Sequence, residues 1–288
     1  MVEDLQHAPV DEFWDRFKSV MGPDGLMTYR YLGSRSTIGS DGTVEGAMVI
    51  RRDMRNAAGG LMASPLSIAI ADAAGVTGDA VSVPAPVISS VHVLDPGHDV
   101  TEIRVRSSRI HDGRTMGFGD AEIRDAARPD RIVAVTRGMG VKLAAAPAGY
   151  EYVDPGPGVP DSPELPPLHE AFGARRRAEG GWALPELDAR LGSTSGSLHH
   201  GATQVVLEAA AMELAEAAAG TDALQIEDWS VMFVARGTVG PFVTSGDFLG
   251  GDVVHDGLDR FACRMTLRDE GNGNRVIASA LAVLRPSS

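Results

Sequence analysis

An internal repeat limits how this chain can fold more than any other feature of its sequence. Three short motifs recur at a separation of 144 residues (255 − 111 = 144), which is half of the 288-residue chain. They are His111-Asp112-Gly113 with His255-Asp256-Gly257, Arg124-Asp125 with Arg268-Asp269, and Arg131 with Arg275. Such a regular separation is typical of a structural unit that is present twice. The sequence therefore predicts two fused copies of one unit.

The first copy has the pattern of a strand, a helix and then four strands. A strand is predicted over residues 43–52, and the next helix begins with Ser64 as N-cap and Pro65 as its first residue and ends at Gly75. A hairpin turn is expected at Asp112-Gly113, because both residues tolerate a positive φ. Alternating segments predict the four strands at 87–95, 101–110, 115–124 and 131–142.

The second copy has a similar order, a helix followed by four strands. An alanine-rich helix is predicted over residues 202–219, with Gly220 at its end and a later turn at Asp256-Gly257. Its strands are predicted at 224–235, 243–254, 259–268 and 274–284. Each copy is thus an α+β unit, a helix followed by an antiparallel meander. The sheet of such a unit buries one face against its own helix, and two copies would pair to extend the sheet.

Two segments fall outside the copies. Residues 9–21 predict an amphipathic helix that packs on the body of the protein, with a membrane or partner surface as the alternative. Residues 144–168 contain seven prolines and predict an extended linker. The expected parts are an N-terminal helix over 1–24, a first repeat over 25–143, the linker over 144–168 and a second repeat over 169–288.

Composition narrows the classes of function. The formal net charge of −13, from 26 basic and 39 acidic residues, argues against a nucleic-acid partner, which clustered Lys and Arg would bind. No segment approaches the ~18 apolar residues that a membrane span needs. The single cysteine, Cys263, cannot form an intrachain disulfide, and the first residues lack the apolar core of a signal peptide. These features predict a cytoplasmic protein.

The segment that opens the second helix carries the most distinctive motif. Leu198, His199, His200 and Gly201 stand there, and Glu208 follows His199 by nine positions. This pattern resembles the PaaI-like, hotdog-fold acyl-CoA thioesterases, whose helix follows a Leu-His-Gly-Gly type sequence and carries an acid at that spacing. Gly196 also matches the family motif. Two positions depart from it: His200 stands where the family has glycine, and Ser193 stands where it has Asn or Gln.

The first helix matches only part of this template. The acid falls on Asp72 and the histidine position on Ala63, since 72 − 9 = 63. Gly60 occupies the glycine position, and Asn56 lies one residue from the expected polar position. The motif is therefore degraded in the first copy.

The resemblance implies both a fold and an activity. The fold is a tandem double hotdog, in which two antiparallel sheets each wrap around a central helix and join edge to edge. The implied activity is hydrolysis of an acyl-CoA or acyl-carrier thioester, with coenzyme A as part of the substrate and no separate cofactor. The fused chain would already form the basic dimer of the family, and further homo-oligomerisation is left open.

In the family the acid of each site comes from the helix of the other copy, which gives this chain two unlike sites. The first pairs Asp72 with the N–H groups at His200 and Gly201. His199 and Ser193 would supply its polar side chains. We expect this first site to be the active one.

The second site of the family pattern pairs Glu208 with the Ser64 N–H. Asn56 is a possible polar contact there, and Pro65 removes one donor because it has no N–H. Gly60 and, in the first site, Gly196 would leave room for the substrate.

The motif also has a physical reason that does not depend on the family. A helix N-terminus has unpaired N–H groups and the positive end of the helix dipole, so it can stabilise the oxyanion that develops on a thioester carbonyl. A carboxylate opposite that point can activate water as a general base, or attack the carbonyl itself and form a mixed anhydride. Hydrolysis needs little more.

Structural interpretations of the same residues stay open. Asp72 could face solvent or an arginine, and Glu208 could be one more exposed helix residue. His199 and His200 could simply cap the helix, and they lack the companion ligands of a zinc motif, so no metal site is expected.

Two other functions also stay open. An acyl-CoA hydratase or dehydratase of the same fold usually carries an Asp-x-Asn-Pro-x-His type stretch, which this sequence lacks. A non-catalytic protein that binds acyl thioesters is supported by the loss of the histidine at Ala63 and by the lack of a well-placed Asn in either copy.

Overall fold

A computed structural model describes residues 2–22, 24–38, 43–75, 82–148, 153–154, 156–250 and 260–287, without the side chains at 38, 71–75, 82 and 84. The helices are α1 (Phe13–Met21), α2 (Met27–Leu32), α3 (Ala63–Gly75), α4 (Leu168–Ala171) and α5 (His200–Ala219). The strands of the first half are β1 (Arg35–Ile38), β2 (Val44–Val49), β3 (Ser82–Val93), β4 (Glu102–Asp112), β5 (Met116–Asp125) and β6 (Ile132–Ala145). Those of the second half are β7 (Arg175–Arg176), β8 (Trp182–Leu184), β9 (Leu224–Phe233), β10 (Phe242–Gly250), β11 (Phe261–Asp269) and β12 (Arg275–Pro286).

Within the described residues, twelve strands form one antiparallel sheet in the order β1-β2-β4-β5-β6-β3-β9-β12-β11-β10-β8-β7. The two halves meet where β3 of the first repeat pairs with β9 of the second, with Ser90 opposite Ser230. The predicted edge-to-edge joining of the two copies is confirmed by this pairing.

Each half of the sheet packs on its own helix, α3 in the first repeat and α5 in the second. Strand β4 shows why, because Ile103 and Val105 are buried while Arg104 and Arg106 are exposed, the period of two that turns one face inward. Both helices are apolar on most sides, since they also contact each other between the curved half-sheets.

The predicted hairpin turn at Asp112-Gly113 has a different geometry from the one expected. Strands β4 and β5 do form a hairpin, with Asp112 opposite Gly117 and the Gly113 N–H donating to the Met116 carbonyl at 2.8 Å. Gly113 does not have the positive φ of a two-residue turn. The side chain of Asp112 forms an ion pair with Lys142 at 2.6 Å. The matching turn at Asp256-Gly257 lies outside the described residues.

The N-terminal helix packs on the body of the protein, as its apolar stripe predicts. Phe13 is buried in a cluster with Leu5 and Val83, which Trp14 and Phe17 flank. Within the described part of the chain, no helix is long and apolar enough to cross a membrane.

The repeated Arg-Asp motif closes a turn in each copy. Asp269 is fully buried, and its carboxylate accepts the N–H groups of Thr238, Val239 and Gly240 at 2.7–3.1 Å. Its counterpart Asp125 is equally buried but accepts one N–H, from Ala127, and is paired with Arg128 and Arg131. The motif is therefore structural in both copies.

We expect Asp269→Ala to lower the free energy of unfolding by about 3 kcal/mol or more, because three N–H groups lose their buried acceptor. Urea unfolding followed by circular dichroism would measure this loss. The control is Asp247→Ala, which removes an exposed aspartate that pairs with Arg264 and should leave the urea midpoint unchanged. Equal midpoints for the two variants would contradict the structural role of Asp269.

Candidate active site

A carboxylate from the second repeat caps the helix of the first repeat. Glu208 lies on α5 and is 1% exposed. Its Oε1 accepts the N–H of Ala63 and its Oε2 the N–H of Ser64, both at 2.7 Å. These are the first two N–H groups of α3, so Glu208 satisfies donors that the helix itself cannot. The structure thus brings together Glu208 and the Ser64 N–H, a pairing that the family pattern implies.

Two opposing effects act on the Glu208 carboxyl. Burial raises its pKa, because the charged form loses its hydration, and this effect is the largest. The Ser64 hydroxyl and the N–H groups of Ser64 and Ala63 lower the pKa by stabilising the anion, but the result is still a raised pKa. The Ser64 oxygen itself has no partner of good hydrogen-bond geometry.

The prediction that Ser64 is the N-cap of this helix is wrong. The helix begins at Ala63, which makes Ser64 its second residue and Pro65 its third. The physical reason is that the Glu208 carboxylate accepts the N–H groups of Ala63 and Ser64 and so supports a helix start one residue earlier, without the Ser64 side chain, which as an N-cap would accept an N–H two or three residues further on.

The loop that leads into α3 is clamped to the second repeat. The Oδ1 atom of Asn56 accepts the Gly60 N–H at 2.9 Å, and its Nδ2 donates to Gln225 Oε1 at 2.8 Å. Gln225 in turn donates to the Leu61 carbonyl at 3.0 Å. A Cβ at Gly60 would lie 1.9 Å from Gln225 Oε1, so no larger residue fits there. Asn56 and Gly60 therefore position the start of α3, although neither contacts Glu208 directly.

At the N-terminus of α5, the side chain of the N-cap residue His199 accepts a helix N–H group. The Nδ1 atom of His199 accepts the Gly201 N–H at 3.1 Å and lies 3.0 Å from Thr28 Oγ1. The proton of the neutral ring is therefore on Nε2, which lies 3.3 Å from the Tyr29 hydroxyl. Thr28 and Tyr29 belong to α2, so this short helix covers the end of α5.

Gly201 and His200 are also tightly packed at the N-terminus of α5. A Cβ at Gly201 would lie 2.4 Å from Thr28 Cγ2, which shows how tightly α2 packs there. The ring centroids of His200 and His199 lie 3.9 Å apart with the rings tilted by 46°, and the Nε2 atom of His200 is buried without a partner. Burial lowers the pKa of both histidines, that of His200 to about 4.

Ser193 and Gly196 lie in the turn before α5 and face the N-terminal segment. The hydroxyl of Ser193 contacts that of Ser195 at 2.8 Å. Gly196 has a φ of +69°, and a Cβ on it would lie 2.9 Å from Asp4 Cβ. In this structure Gly196 packs against the N-terminal segment, and Ser193 belongs to the hydrogen-bonded turn before α5.

Asp72 lies within α3, but its side chain is outside the described part of the structure. The pairing of Asp72 with the N–H groups of His200 and Gly201 therefore stays a prediction.

Sequence reasoning missed three residues that shape these two helix ends. Gln225 had a signal, since a glutamine at the start of an apolar strand calls for a buried partner. Thr28 and Tyr29 had none, because α2 is short and its polar side chains acquire their role only by packing on α5.

An open groove of about 630 Å³ lies on the opposite face of the first half-sheet. Its lining includes Arg106, Ser108, Asp120 and Glu122, which alternate along their strands with residues buried against α3. The sheet separates this groove from Glu208, so we do not assign it to the same site.

Solved structures with this fold cover most of the chain. A tesB protein from Mycobacterium avium subsp. paratuberculosis is 15% identical, with 88% of this chain and 96% of that chain covered and a TM-score of 0.56. A hot dog fold protein from Alicyclobacillus acidocaldarius is 10% identical, with 88% and 96% covered and a TM-score of 0.56. An acyl-CoA thioesterase II from Mycobacterium marinum is 13% identical, with 88% and 95% covered and a TM-score of 0.54. No protein-family model and no curated protein matches the chain.

The chain therefore has the α+β tandem double-hotdog fold that its sequence predicts. The two helices wrapped by one continuous antiparallel sheet agree with these structures over most of their length. Identities of 10–15% establish a shared fold, and the activity has to be argued from the site.

The two histidines at the start of α5 predict a loss of stability in acid. The unfolded chain takes up protons near the ordinary histidine pKa of 6.5, whereas folded His200 does so only at about 4. The unfolded state thus binds more protons between these values, and stability falls as the pH is lowered through this window, by roughly 1–3 kcal/mol for one histidine.

His200→Phe should remove this contribution, because the ring Nε2 has no partner to lose and Phe233 lies beside it. The measurement is the urea midpoint at pH 7 and pH 4.5, which should differ less in the variant than in the wild type. The exposed His98 provides the control, and His98→Asn should keep the wild-type dependence. A His200→Phe protein with unchanged pH dependence would refute the assignment.

Proposed function

We propose that this protein hydrolyses an acyl thioester at one site, formed by Glu208 of the second repeat and the N-terminus of α3 in the first. The observation that carries the proposal is the contact of the Glu208 carboxylate with the N–H groups of Ala63 and Ser64 at 2.7 Å. A general base and an oxyanion site are thereby already adjacent.

In the proposed reaction the thioester carbonyl oxygen replaces the carboxylate on the two N–H groups. A water molecule then attacks the carbonyl carbon while Glu208 accepts one of its protons. The N–H groups and the helix dipole stabilise the oxyanion that forms. When the C–S bond breaks, the thiolate takes the proton from Glu208, and the products are a carboxylic acid and a free thiol.

Binding of the substrate carbonyl to the two N–H groups would make Glu208 a stronger base. While Glu208 accepts the two N–H groups, they lower its pKa against the effect of burial. A substrate carbonyl that takes over these donors would remove this lowering effect and leave the effect of burial. The carboxylate would thus become a better proton acceptor once the substrate is bound.

The substrate has to open the site before it can bind. Glu208, Ala63 and Ser64 are each 1% exposed or less. Access therefore requires side chains to move, and binding of the acyl chain would supply the free energy for this movement.

The geometry favours this site over the Asp72 site that the sequence pattern favours. At the N-terminus of α5, the Gly201 N–H is bound by the His199 ring, and α2 packs against Gly201. At α3 the donors face a carboxylate with which a substrate can compete.

We further propose acyl-CoA as the substrate, with an acyl-carrier protein as the related alternative. The M. marinum structure of the same fold is named an acyl-CoA thioesterase II, which supports this choice. No separate cofactor or metal is needed, because the carboxylate and the N–H groups supply the chemistry. The buried free thiol of Cys263 fits the reducing cytoplasm, where we place the reaction.

A non-catalytic acyl-binding protein is the second candidate. It is favoured by one observation, that both oxygens of Glu208 are already bound to N–H groups as in a structural cap. An acyl-CoA that binds and stays intact over hours of incubation would support this candidate.

Glu208→Gln should reduce thiol release from acyl-CoA by about 10²- to 10⁴-fold, because the amide cannot accept the proton from water. A thiol-reactive dye and a panel of short, long and aromatic acyl-CoAs would measure this loss. Glu216→Gln removes the same charge two turns further along α5 and should keep the wild-type rate. Asp72→Asn should also keep the rate, and loss of activity in this variant alone would place catalysis at the other helix end.

The rate should depend on pH through the ionisation of Glu208. Since burial raises its pKa, kcat/KM should rise with pH along an acid limb whose midpoint lies above the ordinary value of 4.5. A pH profile of kcat/KM from pH 4 to 8 would show this limb. A rate that is flat from pH 4 upwards would argue against Glu208 as the base.

A further inference from the structure

A buried glutamine next to Glu208 has half of its amide unsatisfied. Gln204 lies on α5 and is fully buried. Its Oε1 accepts the indole N–H of Trp229 at 3.2 Å. Its Nε2 atom is closed to solvent and has no hydrogen-bond partner. Such a group destabilises a fold and therefore calls for an explanation.

Trp229 decides which end of the amide is free. The indole nitrogen can only donate, so it requires the carbonyl oxygen of Gln204 on its side. The NH₂ group of Gln204 therefore lies on the side away from the indole. A flipped amide would set two donors against each other and is excluded.

The location of Gln204 connects it with the proposed site. It precedes Glu208 by four residues on α5, so the two side chains share one face of the helix. Trp229 lies on β9, opposite Val91 of β3. Two residues before Val91 on β3, the Ser89 hydroxyl contacts the Ser67 hydroxyl of α3 at 2.8 Å. The amide thus lies where the two repeats and their helices meet.

Comparison of the two repeats shows that the fold does not need this amide. The residue four positions before the other acid, Asp72, is Ile68 (72 − 68 = 4 and 208 − 204 = 4). Ile68 is fully buried, as is Gln204. An apolar side chain therefore suffices at this position in the first repeat, and the polar group is found in the repeat that contributes Glu208.

We propose that the Gln204 amide holds the attacking water against Glu208, a role that rests on the proposed hydrolysis of thioesters. The amide N–H donates to the water oxygen, and the water donates to the carboxylate. The Ser64 hydroxyl, which is buried beside the carboxylate, accepts the second hydrogen of the water, so that a lone pair of the water stays free for the attack. Gln204 exchanges no proton, because the proton of the water passes to Glu208 and then to the leaving thiolate.

Gln204→Met tests this role, since methionine keeps the length of the side chain and removes both amide groups. We expect kcat for acyl-CoA to fall by about 10- to 100-fold with KM within about twofold, because the water is no longer oriented. The thermal midpoint should fall by no more than a few degrees, because the Trp229 N–H loses its acceptor while the unsatisfied NH₂ group is removed. Gln6→Met makes the same change in the N-terminal segment and should alter neither value.

Trp229→Phe is the second variant, because it frees the amide to rotate without removing it. Its kcat should fall by a smaller factor than that of Gln204→Met, again at nearly constant KM. A Gln204→Met protein with unchanged kcat would overturn the proposal. So would one that fails to fold, since a structural amide would then explain the glutamine.

The experiments distinguish failure of the Gln204 role from failure of the proposed thioesterase activity. If Glu208→Gln abolishes thiol release while Gln204→Met does not, the thioesterase stands and the role of Gln204 is refuted. If the wild type releases no thiol, a crystal structure at high resolution decides about the water site. Ordered water within hydrogen-bond distance of Gln204 Nε2 and Glu208 would support it, and its absence would overturn it.

Discussion

One buried carboxylate determines how the two repeats fit together. Glu208 reaches from the second repeat to the first two N–H groups of α3, at 2.7 Å each. A buried charge would be costly without partners, and a buried helix N-terminus would leave donors unsatisfied. Here the carboxylate accepts the N–H groups, so each group supplies the partner that the other needs. The helix dipole adds to the attraction. The same contact that satisfies the fold brings together the carboxylate and the N–H groups that the proposed hydrolysis would use.

The two helix ends of this pseudo-symmetric molecule have diverged. At α3 the donors face an acid from the other repeat, whereas at α5 the His199 ring accepts the Gly201 N–H and contacts Thr28 of helix α2. The buried polar groups have diverged as well, with Gln204 in one helix and Ile68 in the other. A chain that carries both copies can keep one site for chemistry and use the other for packing.

Much of the fold could be predicted because its signals are local. Strands such as β4 and β12 differ from their predicted spans by one or two residues, since alternation and turn formers mark them. Helix α2 was missed, because six residues without a side-chain cap depend on packing against α5. The pairing of Glu208 with the Ser64 N–H followed from the family pattern, but the donor from Ala63 and the free amide of Gln204 depend on how the helices pack. Spacing alone does not contain that information.

A crystal structure with a non-hydrolysable acyl-CoA, in which a methylene group replaces the thioester sulfur, would test the central claim most directly. The account predicts that the ketone oxygen lies about 3 Å from the N–H groups of Ala63 and Ser64, with the Glu208 carboxylate moved off them. An analogue bound at the N-terminus of α5 or in the outer groove, with Glu208 still on α3, would contradict it.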